Sequence, residues 1–175
     1  GVQPMVVTLG GSFLYSGIAL LISKMSATQS YKGISGFPES FTKISSSKLF
    51  GVIPNQVVIF AVLTVIAYFL LHKSKYGRKV FLVGVNVHAA EYSGINSRLV
   101  ILSTYVLSGI SAAIAGIVLT SYLSTAKSDI GVTFTLPIIT AVVLGGTLST
   151  GGKGSVIGTA LAALVIGFLR FGLPL

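Results

Sequence analysis

Cysteine is absent from these 175 residues, acid is nearly absent, and charge of either sign is scarce. Without cysteine there is neither a disulfide framework nor a thiolate metal site. The three acids, Glu39, Glu91 and Asp129, stand far apart in three different connecting segments, which does not suggest a general acid and base pair. The two histidines, His72 and His88, fall short of the three or four converging ligands that a metal needs. No cofactor is expected, and the chain does not read as an enzyme. Charged residues make up 9% of the sequence, where an ordinary soluble domain carries about a quarter. What is abundant is hydrocarbon: 53% of the residues are hydrophobic and the mean hydropathy is +0.93. Such a chain is built for lipid.

Apolar runs cover Met5 to Ile22, Val52 to Leu71 and Leu99 to Leu123, and two shorter ones cover Phe134 to Leu148 and Ser155 to Leu169. A bilayer core of about 30 Å takes about 20 helical residues, so the first three are long enough to cross. The last two must tilt, dip in and return, or extend through their Gly-rich flanks. None alternates apolar and polar residues as a membrane barrel requires. The predicted class is an all-α polytopic membrane protein. No charge lies inside any run, which speaks against a buried proton relay or counter-ion. The formal charge of +9 sits in connectors, where anionic headgroups are nearer than nucleic acid, so no nucleic-acid partner is expected. The chain opens without Met or a basic signal region and stops at Gly172-Leu173-Pro174-Leu175, which reads as a piece of a longer membrane protein. Lys and Arg divide six against six between the two sides and do not orient it, although the cluster from Lys73 to Lys79 mildly favours the cytoplasm for the connector 72–98.

Within that connector lies a polar island, Val85-Asn86-Val87-His88-Ala89-Ala90-Glu91-Tyr92-Ser93-Gly94. Asn86 suits an N-cap and Gly94 a C-cap, leaving about two helical turns between them. A helix that short is not stable alone in water, so something must hold it. Either it is an interfacial connector resting on its own protein or on headgroups, or its small residues Ala89, Ala90, Ser93 and Gly94 let a cytoplasmic partner approach, with Glu91 and His88 at the edge.

The residues Tyr76-Gly77-Arg78-Lys79-Val80-Phe81-Leu82-Val83-Gly84-Val85-Asn86, then Ala89-Ala90 and Ser93-Gly94-Ile95, resemble a segment of the permease subunits in the sugar branch of bacterial ABC importers. A second stretch, Ala141-Val142-Val143-Leu144-Gly145-Gly146-Thr147 with Gly151-Gly152-Lys153-Gly154 and Gly158-Thr159, is similar to another signature of that family. The likeness covers about 3–173, without the family's earlier N-terminal helices and final C-terminal helix. Within the branch, Ser121 to Gly131 and Leu136 to Thr140 look closest to permeases that import autoinducer-2. Thr135 and Pro137 stand where many sugar permeases carry acids, a departure pointing the same way. The resemblance implies a multi-pass protein of the bacterial inner membrane that passes a small sugar or autoinducer-2-like polyol. It implies three protein partners: a cytoplasmic ABC ATPase, a second permease subunit, identical or a sister chain, and a periplasmic or extracellular substrate-binding protein. It also implies that Asn86, Ala89, Ala90, Glu91, Ser93 and Gly94 form a coupling helix docking into the ATPase.

The string Gly151-Gly152-Lys153-Gly154 mimics a phosphate loop, but the spacing fails: Lys153 is followed by Gly154, and Thr147 stands where the first Gly belongs. A tight Gly turn between two short membrane helices is the expectation. Small residues three and four apart at Gly109, Ala112, Ala113, Ala115 and Gly116, and the more widely spaced Gly158, Ala162 and Gly167, suit close helix packing. For the translocation pathway the candidates are Thr133, Phe134, Thr135, Pro137 and Thr140, since Pro137 removes a backbone donor near the start of a short helix. Other span hydroxyls are expected to bond their own helix backbone. Two further classes stay open on the residues alone: a secondary transporter driven by an ion gradient, which predicts an inverted repeat and buried ion ligands, and a non-transporting membrane assembly subunit.

Overall fold

The computed structural model describes residues 4–24, 33–49, 53–127 and 130–172. Lys32, Asp129 and the terminal residues of the family likeness lie outside them. The elements in chain order are α1 (Pro4–Lys24), β1 (Ile34–Ser35), α2 (Glu39–Ser46), β2 (Lys48–Leu49), β3 (Ile53–Pro54), α3 (Asn55–Tyr68), α4 (Lys75–Val85), α5 (Val87–Tyr92), α6 (Ser97–Leu123), β4 (Thr125–Ala126), α7 (Thr135–Leu144) and α8 (Val156–Gly172). A π-helical turn, Phe69–Lys73, extends α3, and a 3₁₀ turn, Val132–Phe134, leads into α7. Among the described residues, three helical stretches are long and apolar enough to cross a membrane: Val6–Ser23, Asn55–Lys73 and Ser97–Leu123. The second starts three residues later than the apolar run at 52, because Ile53–Pro54 pairs with Lys48–Leu49 as a small antiparallel ladder. Pro54 then stands directly before the helix, where a missing N–H costs nothing.

The chain divides into two compact units, Gly1–Ser47 with Gly116–Thr133 and Lys48–Ala115 with Phe134–Leu175. In the first, α1 turns apolar side chains outward all round, Phe13 at 77% exposure among them. That is the surface of a helix covered by lipid or by other helices, since water would make it costly. The segment after α1 is tied to the end of α6 by one residue. Ser121, among the most buried side chains, donates its hydroxyl to the Phe41 carbonyl (2.8 Å) and accepts the Ser45 N–H (3.2 Å). β1 and β4 pair antiparallel beside it, Ile34 opposite Ala126. The exposed Lys43–Glu39 pair on α2 (3.5 Å) adds little, because solvent screens it.

In the second unit the two short apolar runs become an antiparallel hairpin, α7 and α8. At one end, Gly145 lies against the backbone of Gly158 and Thr159. At the other, the Arg170 guanidinium stands over the Phe134 ring, 5.3 Å from its centre. α7 stops at Leu144, four residues before the apolar run does. Gly146, at φ +90°, turns the chain while its N–H reaches the Val143 carbonyl (3.0 Å) and the Thr147 N–H reaches Val142 (3.2 Å). With its 3₁₀ turn, α7 spans about 21 Å, short of the about 30 Å hydrocarbon core. Of the two small-residue stripes, only the one on α8 is partly used: Ala162 is buried and Gly158 touches Gly145. Positions Gly109, Gly116 and Gly167 have no heavy atom within 4 Å of where a Cβ would stand.

Candidate functional site

The connector 72–98 is mostly helical rather than a loop around one short helix. It begins with the π turn, and the bend into α4 is closed by Ser74. The Ser74 hydroxyl donates to the Leu70 carbonyl (2.5 Å) and accepts the Gly77 N–H (3.1 Å), capping α4. Gly77 sits so tightly on the Leu71 carbonyl that any side chain there would collide with it. His72 stacks on Tyr68, rings 5.2 Å apart, and meets the Phe81 ring edge-on at 6.0 Å. It therefore serves ring packing.

Asn86 ends α4 and starts α5. Its extended backbone (φ −157°) breaks the first helix, and its side-chain oxygen accepts the Ala89 N–H (3.1 Å), as the sequence predicts for an N-cap. The far end is a Schellman closure: the Gly94 N–H reaches the Glu91 carbonyl (2.9 Å) and the Ile95 N–H reaches the Ala90 carbonyl (3.1 Å). Gly94 is at φ +77°, the left-handed conformation that a Cβ disfavours. Asn96 repeats the capping device for α6, accepting the Leu99 N–H (3.2 Å). Asn86→Ala is expected to cost about 1 kcal/mol of helix stability. The check is amide hydrogen exchange in the full-length protein, with faster exchange at Ala89 and its neighbours but not in the middle of α6.

Six residues cannot hold a helix by themselves. α5 is held by its caps, by the Ser97 hydroxyl donating to the Glu91 carboxylate, and by a small apolar core of Val83, Ala90 and Val100 with Val80 and Ile95 packed on it. This divides the predicted docking set. Ala90 is only 3% exposed, so it faces its own protein and cannot be part of a surface for a partner. Asn86, Ala89, Glu91, Ser93 and Gly94 are exposed. Composition also concealed Tyr92, 94% exposed beside Ala89, and the open Val85 and Val87. The signal for them was present: a tyrosine and two valines in a segment excluded from the spans.

The two family-like stretches meet. A Cβ on Gly84, near the end of α4, would stand 2.6 Å from the Gly152 nitrogen, and one on Gly151 would stand 2.8 Å from the Gly84 carbonyl oxygen. The turn before α8 is closed by the Leu148 N–H to the Lys153 carbonyl (3.1 Å), and Ser155 caps α8 by accepting the Gly158 N–H (3.1 Å). Lys153 therefore lies on the same side as the connector 72–98.

The pathway candidates are divided between the two units. Thr133 belongs to the first unit and Phe134, Thr135, Pro137 and Thr140 to the second. Pro137 is the third residue of α7, a position whose N–H has no partner within a helix, so it interrupts nothing. One face of Phe134 is taken by Arg170. Thr140 returns its hydroxyl to the Leu136 carbonyl (2.9 Å), as Ser12, Thr64, Ser103, Thr104 and Ser111 do to carbonyls three or four residues back. One hollow in the second unit is lined by Glu91 and 94–98, and another by Leu70, Tyr76 and the first turns of α6. Neither includes a pathway candidate. Among the described residues no cluster of three or more His, Asp or Glu could hold a metal.

Comparison with known proteins bears on this arrangement. Residues 1–174 match a family model described as branched-chain amino acid transport system / permease component. The chain is 45% identical over its full length to the autoinducer 2 import system permease protein LsrD of Yersinia enterocolitica, of which it covers 53%. It is 44% identical over its full length to the protein of that name from Yersinia pseudotuberculosis and 43% to the one from Salmonella paratyphi B, covering 52% of each. The chain thus spans about half the length of the curated relatives it matches. No solved structure matches it.

Proposed function

This chain belongs to the family of permease components of branched-chain amino acid transport systems, and on that premise we propose that it is part of the membrane subunit of an ABC importer. The solute is a small sugar or an autoinducer-2-like polyol, since relatives 43–45% identical to it carry the name autoinducer 2 import system permease protein. The protein sits in the bacterial inner membrane, pairs with a second permease subunit, receives solute from an external binding protein and is driven by a cytoplasmic ATPase.

The observation that carries this reading is α5. It is capped at both ends, anchored by one face through Ala90 and open on the other through Ala89 and Tyr92, and it lies outside every apolar span. That is the form of a lever: stiff, fixed inward, available outward. A push on it passes through Ala90 to Val83 on α4 and Val100 on α6, and through Gly84 and Gly152 to the turn before α8. ATP binding to the partner then biases an equilibrium between outward-open and inward-open forms. ATP is hydrolysed on the partner, and this chain's residues transmit the motion.

Vesicles holding the full-length permease, its ATPase and its binding protein test the reading. Uptake of autoinducer-2 or a related polyol is expected to require ATP and to survive collapse of the ion gradients by an uncoupler. Uptake abolished by the uncoupler while ATP stays intact overturns it in favour of a secondary transporter.

A further inference from the structure

We infer that the hollow beside α4 and α6 is a binding site for one anionic phospholipid, its acyl chain lying in the hollow and its phosphate held at the basic end. The hollow, about 470 Å³, is lined by Leu70, Tyr76, Leu102, Ser103, Val106 and Leu107, among others. Its walls carry no charge. The polar groups of Tyr76 and Ser103 satisfy each other through a hydrogen bond of 2.8 Å, which leaves hydrocarbon as the surface presented. The hollow is an open groove on the helix surface rather than an enclosed cavity, so an acyl chain can lie along it from outside.

Each of the three walls carries a cation about one helical turn from a lining residue, and all at one end. Lys73 follows Leu70 by three positions in the π turn, Lys79 follows Tyr76 by three on α4, and Arg98 precedes Leu102 by four on α6. Since α3 arrives at this end and α6 departs from it, the hydrocarbon surface lies toward the middle of the spans and the cations toward their ends. Lys75 and Arg78 add charge nearby. All five cations are exposed, and among the described residues none has an acidic partner within ion-pair distance. The nearest acid by chain, Glu91, accepts the Ser97 hydroxyl and lines a separate hollow with Arg98, without forming an ion pair with it. An anionic amphiphile meets both the hydrocarbon and the charge. Basic clusters at the end of a span are the usual footprint of anionic headgroups.

The inference rests on the chain being a membrane permease, but its readout is lipid retention, so a failure of transport leaves it standing. The full-length permease is reconstituted in nanodiscs mixing phosphatidylglycerol and phosphatidylcholine, then released for native mass spectrometry. Phosphatidylglycerol is expected to be retained over phosphatidylcholine. Lys73→Gln with Lys79→Gln is expected to lower that retention about thirtyfold, from the loss of two cations near the surface. The charge-matched pair Lys43→Gln with Lys127→Gln is expected to leave it unchanged. Leu102→Trp, which fills the hollow, is expected to displace the lipid; should it fail to fold, the exposed lysine pair decides. Equal loss from both lysine pairs, equal retention of both lipids, or a folded Leu102→Trp protein that keeps its lipid overturns the site. So does a full-length protein whose own further helices or bound ATPase occupy the hollow.

Discussion

Gly145→Val is expected to prevent stable assembly of the α7–α8 hairpin, lowering stability by about 3 kcal/mol or more. At φ −71° the backbone of Gly145 would accept any residue, so the cost is purely steric. A Cβ there would run into the Thr159 nitrogen and Cα and the Gly158 carbonyl carbon. These are backbone atoms near the start of α8, and none can swing aside as the end of a side chain could. Helices in lipid gain little from hydrophobic burial and depend on such close backbone approach for dispersion attraction. Pushing them apart therefore removes the main source of their cohesion. The measurement is the thermal midpoint and membrane yield of the full-length protein. Gly167→Ala is the control: no atom stands within 4 Å of its Cβ position, and it should behave as wild type. Equal loss in both variants would show that glycine content, not contact, matters here.

Ala89→Trp is expected to cut association with the ATPase and ATP-driven uptake by tenfold or more while the permease stays folded. Ala90→Trp is expected to lose both through the fold. The two alanines are adjacent and chemically identical. Ala90 is packed between Val83 and Val100, where a large side chain costs about 1–3 kcal/mol or more by overpacking. Ala89 is exposed beside Tyr92, so tryptophan there meets nothing in its own protein and blocks only what comes from outside. A pull-down of the ATPase with the detergent-solubilised permease, paired with a thermal melt, separates the cases. An Ala89→Trp protein that melts like wild type and still binds its ATPase removes the docking role from α5.

The local features of α5 were legible in the sequence: Asn86 as N-cap, Gly94 as the turn that closes it, and a length too small for autonomy. Caps and turns are made by residues within five positions of one another, so their chemistry is written locally. The three long apolar helices were legible for the same reason, to within a few residues, since length and apolarity decide them. The misplaced boundaries have particular causes. Ile53 and Pro54 are apolar but pair as strand with Lys48–Leu49, and residues 145–148 continue an apolar run past a Schellman turn. α4 is not legible from composition because Lys73 to Lys79 has the charge of a loop, whereas Ser74 caps the helix and Val83 buries one face. Pro137 stands near the start of a short helix, as the sequence indicates, where its place in the first turn asks for no donor.

The residues alone determined that the chain belongs in lipid, that its elements are helices, and where several of them start and stop. Solvent preference follows from composition, and helix ends follow from bonds between near neighbours. Folding in three dimensions decided that Ala90 turns inward while Ala89 turns out, that Gly84 of one stretch rests on Gly152 of another, and that Lys73, Lys79 and Arg98 gather at one end of a greasy hollow. Those outcomes depend on which faces meet across tens of residues, and no periodicity within a single element records its neighbour.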